Sequence, residues 1–189
     1  YNSYDWVLIS LAMQEASGIP FEEYVKTKVL DTLGLENTFA ASPTGIDVLE
    51  NKNLQITTFY SKSSLGFRKA IPVNNFFKLA GGGYLSTAQD ISNFGQAFLN
   101  KEVLNDSTQN QFLSSEIINN ELTYYGLGWQ VSQDAKGRPF YGHIGNGVGG
   151  YSNFFVYPEE KMVLSILINC TNPNVQEELD QVIDAFLSS

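Results

Sequence analysis

The sequence predicts an α+β fold: helices first, then an antiparallel meander, then a closing helix. Two observations predict it. The clear units before residue 115 repeat their apolar residues at a helical period, whereas 125–169 breaks into four short runs with strand composition. Those runs are joined by short turns, and short turns make neighbouring strands antiparallel. With 189 residues, 43% of them apolar and 16% charged, the chain is about one globular domain with a real core.

The first helix is SYDWVLISLAMQEASG, from Ser3 to Gly18. Ser3 is placed to cap it and Gly18 to end it. Trp6, Val7, Leu8, Ile9, Leu11, Ala12, Met13 and Ala16 cover most of its circumference, which predicts deep burial. IPFEEYVKTKVLDTLGL is the second helix. Pro20 sits near its first turn, Glu22 and Glu23 complement its positive end, and Lys26 and Lys28 come later. Residues 41–80 are polar and irregular, with a short strand expected at 54–60 (LQITTFY).

In AGGGYLSTAQDISNFGQAFLN, Gly81, Gly82 and Gly83 predict a turn and a close approach. Ser86 or Thr87 caps the helix that follows, with Gln89 or Asp90 at the capping-box position. Ile91, Phe94, Phe98 and Leu99 form its apolar face. A short helix is expected at 107–115. Strands follow at 125–132, 138–145, 150–158 and 161–169, and PNVQEELDQVIDAFLSS closes the chain as an amphipathic helix over one face of the sheet. The glycines at 147, 149 and 150 read as a hairpin loop, and Trp129, Tyr151, Phe154, Phe155 and Tyr157 as sheet core and face.

Composition narrows the function. A net charge of −9 with no basic stripe argues against a nucleic-acid partner. No stretch approaches the ~20 apolar residues of a membrane span. The single cysteine, Cys170, permits no internal disulfide and follows an apolar strand, so it reads as a small buried hydrophobe. One cysteine and one histidine cannot build the usual zinc sets, and no cofactor or metal is expected. The only histidine, His143, stands in a glycine-rich corner, YGHIGNGVGG. Glycines there either make a turn or let a ligand approach the backbone.

The order of these pieces resembles the serine β-lactamase-like hydrolases, which include class C β-lactamases, D-alanyl-D-alanine carboxypeptidases and related esterases. YNSYDWVLISLAMQEASGIPFEEYVKTKVLDTLGLENT resembles their Tyr-x-Asn segment. AGGGYLSTAQDISNF, YGLGWQV and GHIGNGVGGYSNFFVYPEEKMVLSILIN match later segments in the same order, so the resemblance covers nearly all of 1–189. It implies a β-lactamase/transpeptidase-like fold and a peptide, β-lactam or ester substrate. It places Tyr1 on the family's catalytic tyrosine and Ser3 on the Asn of Tyr-x-Asn, a departure. His143 and Gly145 fall on the Lys and Gly of Lys-Thr-Gly, where many relatives have His-x-Gly. Asn146 then supplies an oxyanion N–H, Gly145 leaves the strand bare for substrate, and His143 lines the site.

The family's nucleophile motif, Ser-x-x-Lys, is missing: no lysine of this chain has a serine three positions before it. The chain therefore reads as the C-terminal portion of one hydrolase domain, inactive alone. The alternative is a non-catalytic binding or structural module on the same scaffold. Bland readings remain beside these: Tyr1 as a loose terminal residue, Ser3 as a plain helix cap, His143 as a satisfied structural residue. His143 in place of lysine tilts the substrate away from β-lactams, because a lysine ammonium holds a carboxylate at any physiological pH. Family members that meet cell-wall substrates are exported, which suggests periplasm or cell envelope. The strand MVLSILI (162–168) has only Ser165 polar, so both faces and both edges should be covered. An N-terminal segment, a second copy, or a local segment such as 54–60 is expected on its open edge.

Overall fold

The structure, a computed structural model, describes residues 1–40 and 55–187. It opens with α1 (Asp5–Ser17), α2 (Phe21–Val25), a π-helical turn (Lys26–Leu30) and α3 (Asp31–Leu33). Strand β1 (Phe39–Ala40), the hairpin β2 (Tyr60–Ser63) and β3 (Gly66–Lys69), a 3₁₀ turn (Phe76–Gly81) and β4 (Tyr84–Leu85) lead to α4 (Ala88–Leu99). Then come α5 (Asp106–Phe112), the small pair β5 (Ile117–Ile118) and β6 (Glu121–Leu122), and the meander β7 (Gln130–Gln133), β8 (Pro139–Gly147), β9 (Gly150–Tyr157), β10 (Met162–Ile168). β11 (Cys170–Thr171) and α6 (Gln176–Leu187) close the chain.

The meander forms one antiparallel sheet in the order β10-β9-β8-β7. Side chains alternate across it, and each face has its own helix. Tyr141, Phe154, Val156 and Val163 meet Phe94 and Phe98 of α4, with Trp129 in the same cluster. Phe140, Ile144, Phe155, Tyr157 and Leu164 meet Ile183 and Leu187 of α6. Adjacent residues Val156 and Tyr157 are therefore both fully buried, on opposite faces. That sandwich explains the nearly unbroken apolar runs of β9 and β10.

α4 is fixed at its start. Thr87 accepts the Asp90 N–H through its side chain at 3.2 Å, as an N-cap does. The buried Asp90 carboxylate turns elsewhere and accepts from Asn37 N at 2.8 Å and Thr38 Oγ1 at 2.9 Å. One side chain thus ties α4 to the segment after α3.

Several expectations need correction. Ser3 does not cap α1. No side chain caps it; ahead of the helix Asn2 forms a turn, its Oδ1 accepting from Tyr4 N at 3.0 Å and its carbonyl from Asp5 N at 3.1 Å. An asparagine side chain favours such a turn because its oxygen accepts from the N–H two residues on. Gly18 ends α1 in the left-handed conformation as expected (φ 69°). The helix is not deeply buried: Leu8, Ile9 and Leu11 are exposed. It packs against the 3₁₀ turn and α2, and its Trp6 ring lies against Gly128 in the loop before β7.

The expected strand at 54–60 forms instead from Tyr60, in β2, while residue 54 lies outside the described residues. β2 pairs with β3 and, in parallel, with β11, giving a second sheet ordered β11-β2-β3. Segment 54–60 therefore does not fill the edge of β10, and no described strand does. The expected strand at 125–132 shortens to Gln130–Gln133. Gly126 N–H donates to the Trp129 carbonyl at 2.8 Å and Gly128 takes φ 89°, so 125–129 is a tight loop folded back on β7.

Candidate active site

β8 is longer than its neighbour β7. Their last pair is Gln130 with Gly142, whereas β8 continues against β9 to Gly147 with Gly150. From His143 to Gly147, one edge of β8 thus carries no described strand. The two-residue turn at Val148 and Gly149 makes Gly147 and Gly150 a hydrogen-bonded pair. Alternation along the ladder then aims the main-chain N–H and C=O of Ile144 and Asn146 away from β9, off the open edge.

The glycines of this corner have distinct causes. A Cβ on Gly142 would collide with the Phe154 carbonyl, so that position is closed by the sheet itself. A Cβ on Gly145 would meet only the Ser152 hydroxyl, at 2.5 Å, a small group that can rotate away. Gly145 is thus bare mainly toward the edge, where a bound chain or acyl group can lie against the strand. Asn146 turns its side chain from that edge, its Oδ1 accepting from Asn172 N at 2.9 Å. Its main-chain N–H is left as a donor at the open edge.

His143 shares the Tyr141 face of β8, and both its ring nitrogens are engaged. Nδ1 lies 2.7 Å from the Ile144 carbonyl oxygen and Nε2 lies 2.8 Å from the Tyr125 hydroxyl. A carbonyl oxygen can only accept, so Nδ1 carries the proton. Nε2 is then the acceptor and the Tyr125 phenol the donor. Burial, then the nearby Tyr1 ring, pushes the Tyr125 hydroxyl up to about 12, which keeps it protonated and donating. The imidazole is fixed in orientation from both sides.

Tyr1 completes a ring cluster. Its centroid lies 5.5 Å from that of His143 and 5.7 Å from that of Tyr125, while its side chain remains 79% exposed. The chain start and the meander, far apart in sequence, therefore meet at the open stretch of β8. Ser3 is not in this cluster: its carbonyl abuts Gly81, whose missing Cβ makes room for it. Sequence reasoning missed Tyr125, treating it as the first residue of a strand. The signal was present in YGLG, since two glycines inside a strand-like run mark a bend. Among the described residues, no group of three or more His, Cys, Asp or Glu side chains gathers around a metal-sized site.

Comparison with known proteins extends this picture. The family model for Beta-lactamase matches residues 1–187. The human mitochondrial serine beta-lactamase-like protein LACTB is 26% identical, the match covering 85% of this chain and 33% of that protein. Among solved structures, the D-amino acid amidase from Ochrobactrum anthropi SV3 superimposes with a TM-score of 0.83 at 16% identity, covering 98% of this chain and 58% of that one. An octameric penicillin-binding protein homologue from Pyrococcus abyssi gives 0.80 at 22% identity, covering 100% of this chain and 42% of that one. The chain thus spans about a third of the curated relative and about half of each solved one. The fold is β-lactamase/transpeptidase-like, as the sequence predicted.

Proposed function

Because this chain belongs to the beta-lactamase family, we propose that residues 1–189 form the C-terminal portion of one serine-hydrolase domain and carry the base and oxyanion side of an acyl-transfer site. The observation that carries this reading is the meeting of Tyr1 with His143 at the open stretch of β8, where the Asn146 N–H points outward. Two distant segments converge on the stretch of β8 whose edge carries no described strand.

In this reading Tyr1, as a phenolate stabilised by a neighbouring lysine ammonium, accepts the proton of a serine nucleophile, which is otherwise too weak to attack an acyl carbon. The Asn146 N–H donates to the developing oxyanion, an interaction that commonly lowers such barriers by about 3 kcal/mol. Gly145 lets the acyl group approach the strand. His143 acts as an oriented wall. Its two nitrogens are taken by Ile144 and Tyr125, so it offers a substrate carboxylate no free donor. That favours an amide or ester acyl donor over a β-lactam, whose free carboxylate needs a partner. A cell-envelope location draws support from the penicillin-binding relative, whereas the curated relative is mitochondrial.

The sequence contains no Ser-x-x-Lys. We therefore assign the nucleophile, and the lysine that would activate Tyr1, to polypeptide outside these 189 residues. The test compares the 189-residue chain with the same chain joined to the coding region upstream of Tyr1. Each is assayed with p-nitrophenyl esters, D-amino acid amides and a fluorescent penicillin. Acylation by the longer protein alone is expected. Turnover by the 189-residue chain alone would overturn the assignment of the nucleophile. An upstream region without Ser-x-x-Lys and without activity would leave the non-catalytic module as the function.

A further inference from the structure

The hairpin β2–β3 differs from the rest of the chain in charge and in exposure. Residues 55–87 contain Lys62, Arg68, Lys69 and Lys78 but no Asp or Glu, although the whole chain carries −9. The ion pairs formed by described cations lie elsewhere, at Lys26, Lys101, Lys136 and Arg138. The hairpin register puts Tyr60 opposite Lys69 and Lys62 opposite Phe67. Paired residues share a face, so one face alternates aromatic rings with ammonium groups. Arg68 stands on the other face, and Leu65 projects from the tip, 98% exposed. Phe67 is 69% exposed.

The base of the hairpin is held firmly while its tip is free. Tyr60 N–H donates to the Asn169 carbonyl at 2.9 Å and Ala70 N–H to the Phe59 carbonyl at 2.8 Å. Phe59 and Ala70 lie directly over Gly149, in the turn that ends the candidate site strand. A rigid stem next to the site thus carries an apolar tip ringed by unpaired cations.

We propose that β2–β3 docks the protein on a lipid surface bearing anionic headgroups, with Leu65 and Phe67 entering the acyl boundary and Lys62, Arg68 and Lys69 on the phosphates. An acidic protein partner satisfies the same charge, but the shape disfavours it. A hairpin of this size offers far less than the ~800 Å² per partner of a specific protein interface. A single projecting leucine suits insertion into lipid, and each cation near an anionic surface strengthens binding about fivefold. The acidic remainder of the chain is screened beyond roughly 10 Å. No helix of the described residues is long and apolar enough to cross a membrane, so the contact is a surface one.

The test is sedimentation of the full chain with phosphatidylcholine vesicles, with and without phosphatidylglycerol. Binding only to the anionic vesicles, lost at high salt, is expected. Leu65→Ser should weaken it at least about tenfold, since one large apolar side chain is removed from the boundary. Because Leu65 is 98% exposed, that change breaks no contact of the fold, and loss of binding cannot reflect misfolding. The triple change Lys62→Gln, Arg68→Gln, Lys69→Gln should cost about a hundredfold, at about fivefold per cation. Equal binding to neutral vesicles, or anionic binding unchanged in both variants, would overturn the proposal. So would a result in which Leu65→Ser dissolves an oligomer while the parent binds no vesicle, because the surface would then be a protein contact.

Discussion

The Tyr125 hydroxyl donates to His143 Nε2 across 2.8 Å, and the Ile144 carbonyl accepts from the opposite nitrogen at 2.7 Å. This pair of contacts fixes the tautomer of the only imidazole in the chain. It also explains why the ring stands at the end of β7: only there is β8 open to Tyr125, which arrives on the loop before that strand.

One histidine makes this directly measurable. Nitrogen-15 spectra of the chain above neutral pH should show a single imidazole with the proton on Nδ1. In Tyr125→Phe the acceptor bond at Nε2 disappears, and the ring should shift toward the Nε2–H form that free imidazole favours. A parent protein already in the Nε2–H form would contradict the hydrogen-bond assignment.

The sheet and the closing helix over one of its faces were legible because short turns join the strand-like runs and α6 keeps a clean apolar period. The site was legible in part. Glycines around His143 marked an accessible strand, and the family resemblance paired it with Tyr1. Tyr125 was hidden because its position depends on Gly128 reversing the chain, a tertiary consequence that a period-two pattern disguises. The burial of α1 was misjudged for a related reason. An apolar circumference reports what a helix could bury, not what packs on it.

His143→Ala, made in the protein that includes the upstream segment, should lower kcat/KM for an ester substrate by on the order of tenfold to a hundredfold. The loss arises because Tyr1 and Tyr125 lose the ring they both rest on. An unchanged kcat/KM would reduce His143 to a structural residue.

Two glycines three positions apart should respond oppositely. Gly142→Ala drives a methyl group into the Phe154 carbonyl, inside a paired sheet, and should cost about 2–3 kcal/mol in a denaturant titration. Gly145→Ala meets a serine hydroxyl that can rotate, and should stay within about 1 kcal/mol while still lowering activity. Equal destabilisation would show that the β8–β9 contact is looser than this geometry.

Alkaline pH should loosen the fold through its tyrosines. Burial pushes Tyr84, Tyr125, Tyr141 and Tyr157 up to about 12, with smaller upward contributions from Glu22 at Tyr84 and Tyr1 at Tyr125. An unfolded phenol ionises near 10. The fold therefore favours the neutral form, and its stability is intact below about pH 10 and falls as pH rises toward 12. Urea midpoints at about pH 9 and about pH 11 should differ, and Tyr141→Phe should narrow that difference. Identical slopes for parent and variant would show that Tyr141 is not shielded.

β10 ends the sheet, and the alternation set by Gly147 and Gly150 aims the main-chain groups of Val163, Ser165 and Leu167 away from β9. No described strand accepts them. Val163 packs toward α4 and Leu164 toward α6, so the strand is apolar on both faces up to its edge. Such edges pair with another chain unless a charge blocks them. The 189-residue chain should therefore associate as its concentration rises, in sedimentation velocity or size exclusion. Leu167 is 39% exposed, so Leu167→Lys can reach water with its ammonium group and should leave the fold intact. It should return the protein to a monomer at the same concentration. A parent chain that stays monomeric throughout would show that this edge is protected, and an oligomer that survives Leu167→Lys would place the contact on another surface.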